Sequence, residues 1–234
     1  MTLAEATVTY LALLRYRKHQ QPSATVRERV LALLTSYYSP NTTATEIEPE
    51  RLRDFLSRWY LDHAYEAKAS GSDLLPEPAD LLKAIDDFFI WADQSKGAGR
   101  LARCVPLMDE MQQTLPRAFE ITEALAKWLA QRGGAFSFPE YLTSFEEGGH
   151  SEYDIDAPDK VGAIDGYFKI TRVEDSMVEA EELISGNRVS PIVFPPDIAA
   201  LLGEGYIINL EVVRSTEGWV ITGCGFAYPP GTAV

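Results

Sequence analysis

Leu3, Tyr10, Leu11 and Leu14 open the chain at the three- and four-residue spacing that lines one face of a helix. Thr2 and Glu5 precede them in capping-box spacing, and the basic group Arg15, Arg17 and Lys18 suits the helix end. A break at Pro22-Ser23 predicts a second helix through Val26, Val30, Leu33, Leu34 and Tyr37, closed by the Ser39-Pro40-Asn41 turn. Pro49 suits the first turn of a third helix carrying Leu52, Phe55, Leu56, Trp59 and Tyr60. After a loop from Lys68 to Pro78, the residues Leu81, Leu82, Ile85, Phe88, Phe89 and Ala92 define a fourth, stopped by Gly97. Residues 99–114 give a fifth segment, and Pro116 is read as opening a sixth with Phe119, Ile121, Leu125, Trp128 and Leu129; Gly133-Gly134 ends it.

From Gly166 the apolar period changes from helical to two. Tyr167 to Val173 and Met177 to Leu183 alternate across a Glu174-Asp175-Ser176 turn, which predicts a hairpin. Val189 to Phe194, with Pro191 marking an edge or bulge, is the third strand. A helical turn from Asp197 to Leu202 then precedes strands Tyr206 to Val213 and Trp219 to Tyr228. Gly223 and Gly225 inside the last strand mark a bulge or tight corner, and Tyr206, Trp219 and Tyr228 are read as filling or covering a barrel. The expected class is α+β, with an N-terminal all-α helical bundle over residues 1–134, an acidic linker over 135–160, and a small antiparallel β-barrel, SH3-like or OB-like, over 161–234.

Charge sharpens this division. The 234 residues carry a net charge of -14. Residues 1–135 hold 16 basic and 18 acidic side chains, whereas residues 136–234 hold 5 and 17. The second half should repel polyanions, which leaves nucleic acid to the helical half alone. Arg27 and Arg29 on the second helix, with Arg51, Arg53 and Arg58 on the third, are the candidates there for contact with a phosphate or a protein partner, although acidic neighbours intersperse them. The acidic linker offers Glu147, His150, Asp154 and Asp156 as carboxylate and imidazole donors for a hard cation. Its spacing lacks the glycine of a calcium-binding loop, so a solvated linker is the simpler reading. Three histidines are scattered at 19, 63 and 150, and Cys104 and Cys224 stand 120 positions apart, which gives neither a zinc-finger spacing nor a disulfide framework. A reducing, cytoplasmic setting fits these cysteines. The longest apolar run near the start, Tyr10 to Leu14, is far too short for a membrane span.

Two stretches of the helical half carry a resemblance. Glu46-Ile47-Glu48-Pro49-Glu50-Arg51-Leu52-Arg53-Asp54-Phe55-Leu56, followed by Leu81-Leu82-Lys83-Ala84-Ile85-Asp86-Asp87-Phe88-Phe89-Ile90-Trp91, makes Thr25 to about Leu115 resemble the SAM-like core-binding domain of phage integrases and other tyrosine recombinases. The catalytic half of that family, with its His-x-x-Arg element, has no counterpart here. The resemblance therefore implies a module that grips DNA or docks a protein, detached from the chemistry.

Three roles follow from this reading. The first is a non-enzymatic interaction or adaptor protein, without a cofactor, whose helical domain docks a protein partner. The alternatives are a DNA-binding accessory protein using the five arginines, and a metal-dependent enzyme at the domain junction.

Overall fold

The computed structural model describes residues 1–14, 22–39, 41–43, 46–69, 75–96, 101–132, 162–216 and 218–234. The basic group after the first helix, the Ser70-Gly71-Ser72 loop, Gly97, the Gly133-Gly134 stop and the 135–160 linker lie outside the described residues. Helices occupy the N-terminal region and a five-stranded sheet the C-terminal one. The chain divides into two compact units, Met1–Pro116 and Arg117–Thr232.

In the first unit α1 (Leu3–Leu14) begins with the expected reciprocal cap: the Thr2 amide donates to Glu5 Oε2 at 2.9 Å and the Glu5 amide to Thr2 Oγ1 at 3.2 Å. Ser23 caps α2 (Ala24–Tyr38) through the Val26 amide. Pro49 starts α3 (Pro49–Asp54), which passes through a π-turn (Phe55–Trp59) into α4 (Tyr60–Ala69). The wider turn keeps Phe55, Leu56, Tyr60 and Leu61 all buried, a broader apolar face than a regular helix would point inward. α5 (Pro78–Lys96) packs against α2 and α1 through fully buried Leu81, Ile85 and Phe88.

The fifth and sixth sequence segments are one helix. A short 3₁₀ turn (Leu101–Cys104) leads into α6 (Val105–Gln131), and Pro116 lies inside it rather than at its start. Interior proline removes a helix hydrogen bond and costs about 3 kcal/mol. The apolar face that runs unbroken through Leu107, Met111, Leu115, Ala118, Ile121, Leu125 and Leu129 offsets that penalty. The two units divide at this proline, earlier than the expected boundary at 134, because Ala118, Ile121 and Leu125 belong to the core of the sheet.

The sheet comprises β1 (Ala163–Glu174), β2 (Met177–Glu182), β3 (Arg188–Val193), β4 (Ile207–Ser215) and β5 (Gly218–Tyr228), with the helical turn α7 (Pro196–Ala199) before β4. The hydrogen-bonded order is β1-β2-β3-β5-β4, and β4 also pairs with β1, so every strand has two neighbours. Four pairs are antiparallel; β3 and β5 run parallel, a departure from the all-antiparallel expectation. Inward-facing Phe168, Ile170, Val178, Val189, Ile192, Ile208, Leu210, Val212 and Ile221 fill the interior together with the α6 residues. Tyr206 joins this core, Trp219 packs against it, and Tyr228 is buried. Register shifts in the β4–β5 pair fall between Ile208 and Leu210, opposite Gly225-Phe226, and between Glu211 and Val212, opposite Thr222. Among the described residues no helix is long and apolar enough to cross a membrane.

Candidate interaction surface

The arginines singled out in the helical region do not form one surface. Arg27 is 3% exposed, with an ion pair to Asp87 at 2.6 Å and hydrogen bonds to the Pro22 carbonyl and the Tyr10 hydroxyl. It ties α1, the start of α2 and α5 together from inside. Arg53 donates both guanidinium nitrogens to Glu110 at 2.7 Å. That bond raises the Arg53 pKa and, seen from the other side, holds the Glu110 carboxyl below its ordinary value. Arg51 lies over the rings of Tyr37 and Tyr38, 5.5 and 5.0 Å from their centroids. Arg29 and Arg58 are exposed. The proposed cation donors Glu147, His150, Asp154 and Asp156 lie outside the described residues. Among the described residues no three of His, Cys, Asp and Glu gather as a metal site.

The remaining chemistry-bearing side chains are built into the fold. His63 stacks on Trp59 at 4.0 Å between centroids, and its Nδ1 lies 2.7 Å from the Trp59 carbonyl. Because a carbonyl only accepts, Nδ1 carries the proton. Trp59 in turn stacks on Phe55, so a ring ladder follows the π-turn and α4. Burial pushes the Cys224 thiol up to about 12 and raises Cys104 as well, which disfavours the thiolate a nucleophile needs. Tyr37 is likewise pushed up to about 12, by burial and then by its 2.6 Å hydrogen bond to Asp54.

The surface that does assemble lies on the outside of β1, β2 and β3, and strand register explains it. Alternation sends Val178, Ala180 and Ile192 inward and their neighbours outward. The pairs Glu174↔Met177, Met177↔Val193 and Val193↔Val220 then set four outer residues in one row from β1 to β5. Met177, Val193 and Val220 are 51%, 41% and 39% exposed, an apolar row where alternation calls for polar side chains. Two further rows follow along the strands: Arg172 opposite Glu179, then Lys169 opposite Glu181 opposite Arg188.

A bulge shapes the middle of this face. The register slips between Ile170 and Arg172, leaving Thr171 as the extra residue, and its hydroxyl donates to the Glu179 carbonyl at 3.1 Å. An open depression of about 400 Å³ results, lined by Thr171, Arg172, Glu179, Glu181, Gly186 and Arg188. Arg172 is ion-paired with Glu174 and Arg188 with Glu179. One end is fixed from inside by Glu182, whose carboxylate accepts from the amides of Ile184 and Ser185 at 2.8 and 2.7 Å and from the Ser185 hydroxyl. Burial works to raise the Glu182 pKa, but those three donors outweigh it and hold the carboxyl below its usual range. The turn from Leu183 to Asn187 is thereby pinned beside the depression.

Reading the sequence for arginines on helices missed this face. The available signal was the phase of Met177, Val193 and Val220: each is apolar at the solvent position of an alternating strand. Comparison with models of protein families, with curated proteins and with solved structures gave no match to the chain.

Proposed function

We propose that the chain is a non-enzymatic interaction protein whose sheet unit is an OB-like closed barrel that meets a partner on the outer face of β1, β2 and β3. The observation that carries this reading is the apolar row Met177, Val193 and Val220 beside a depression lined by charges of both signs. Isolated exposed apolar residues are ordinary, whereas three aligned across neighbouring strands form a patch that gains by being covered. The barrel reading is supported by the two neighbours of every strand, and the OB-like variant by the parallel β3–β5 pair and the helical turn before β4. In the helical unit the likeness to a recombinase core-binding domain supports a docking module. The buried or paired state of Arg27 and Arg53 favours a protein over DNA as its partner. Two unpaired thiols suit a reducing, cytoplasmic setting.

Site-specific photocrosslinking tests the reading. A photoreactive phenylalanine analogue at Val193 of the full chain, irradiated in its native lysate, is expected to give a defined heavier adduct that is absent from the same chain bearing Arg188→Glu. If positions 177, 193 and 220 and the helical positions 29 and 58 all stay adduct-free, the interaction reading is lost.

A further inference from the structure

The charge balance of the β1–β2–β3 face and its size together narrow what can sit there. Residues 162–234 contain four basic and ten acidic side chains. Three of the four bases, Lys169, Arg172 and Arg188, stand on this one face, next to Glu174, Glu179 and Glu181. The face is thus close to neutral on an otherwise anionic unit. Like-charge repulsion disfavours an acidic surface docking elsewhere on the unit and is relieved here.

Neutrality also argues against a nucleic acid. Binding to phosphates is driven by cations that displace condensed counterions. Arg172 and Arg188 are already engaged by Glu174 and Glu179, so a phosphate backbone would meet carboxylates as often as guanidinium groups. Size argues against a second folded copy. Counting β5, which carries Val220, four strands about 4.8 Å apart and about 20 Å long offer roughly 400 Å², whereas a stable interface between folded proteins takes about 800 Å² from each side. An extended strand of about six residues has the matching length.

We propose that this face holds a short extended segment of a protein partner. Its apolar side chains cover Met177, Val193 and Val220, and one acidic and one basic side chain exchange with the Arg172–Glu174 and Arg188–Glu179 pairs around the depression. Both signs are required. A purely acidic segment would leave Glu179 and Glu181 facing like charge, and a purely basic one would do the same at Arg172 and Arg188. The proposal rests on the reading of the chain as an interaction protein and adds the chemistry of its partner.

The test is selection of random displayed peptides about twelve residues long on the immobilised full chain, followed by affinity measurement with the synthetic winners. The expected winners combine apolar residues with both charge signs and lose about tenfold or more in affinity against Val193→Glu and, separately, against Arg188→Ala. Arg188 is 69% exposed, so the second variant is expected to keep its fold, and thermal melts of both variants check this. The proposal is overturned if no peptide distinguishes the parent from the two variants. It is equally overturned if a fluorescent single-stranded oligonucleotide binds this face with steep salt dependence, or if sedimentation shows a dimer that the same substitutions abolish. A photocrosslink at Val193 without any selected peptide would end this proposal and leave the interaction reading standing; absence of both would end the two together.

Discussion

Glu182 and Gly225 show how single residues hold the sheet unit in shape. Glu182 is 5% exposed, and its carboxylate closes the Leu183 to Asn187 turn. Its folded pKa lies below the unfolded value, so its contribution is fully present above the unfolded glutamate pKa of about 4.3 and fades as pH falls through the folded value. Glu182→Gln is expected to lower stability by about 2 kcal/mol at neutral pH. Urea unfolding should show the gap between the two proteins closing on acidification, and a gap that widens toward pH 3 would contradict the assignment. Gly225 matters through space. A Cβ there would lie 2.5 Å from Oδ1 of buried Asn209, so one of the two must move. Gly225→Ala should therefore destabilise by about 1–3 kcal/mol, and Asn209→Ala in the same chain should recover part of the loss. Equal melting temperatures for Gly225→Ala and the parent would refute the close approach.

At the scale of elements, α6 is the clearest case of tertiary packing overruling a local signal. Pro116 reads as a helix start, yet the helix passes through it, because the apolar positions on either side continue one face. Beyond the proline, Thr122 accepts from the Ala227 amide of β5 at 2.8 Å and donates to the Ala118 carbonyl at 3.1 Å, both in a buried setting. Thr122→Val keeps the shape but strands the Ala227 amide, so a loss of about 1–3 kcal/mol is expected. Thr122→Ser should stay close to the parent. Chemical denaturation of the three proteins decides this, and a valine variant as stable as the parent would mean that the hydroxyl is dispensable. Most helices and all five strands were legible because apolar period is a local property: Leu81 to Ala92 and Tyr167 to Val173 advertise their elements within a dozen residues. The π-turn at Phe55–Trp59 was not legible. It is a slip of one residue chosen so that Phe55, Leu56 and Tyr60 can all be buried. The parallel β3–β5 pair depends on how the fifth strand returns to the third, which no local pattern encodes. The candidate face was hidden for the same reason, since register alone brings Arg172, Glu179 and Arg188 to one depression. Arg27 misled the sequence reading because a buried ion pair with Asp87 uses the same residue type as a phosphate contact.

For the molecule as a whole, the asymmetry of charge makes the two units respond differently to salt. Residues 162–234 hold ten acidic and four basic side chains, whereas the first 135 residues are nearly balanced. Three of those four bases sit on one outer face, which leaves the rest of residues 162–234 with carboxylates and Arg214. Their mutual repulsion favours the more expanded unfolded chain. Salt that shortens the screening length from about 30 Å at 0.01 M to about 8 Å at 0.15 M weakens that repulsion. The sheet unit should therefore gain stability over this range, while the helical unit, held by apolar burial and by the Arg27–Asp87 and Arg53–Glu110 pairs, should change little or lose slightly. Amide hydrogen exchange read peptide by peptide separates the units within one sample. Protection is expected to rise with salt in β1, β2, β4 and β5 and to stay level in α2 and α5. A uniform rise across both units would mean that salt acts through general exclusion from the surface instead. Falling protection in the sheet would mean that its ion pairs, Arg172–Glu174 and Arg188–Glu179 among them, outweigh the carboxylate excess.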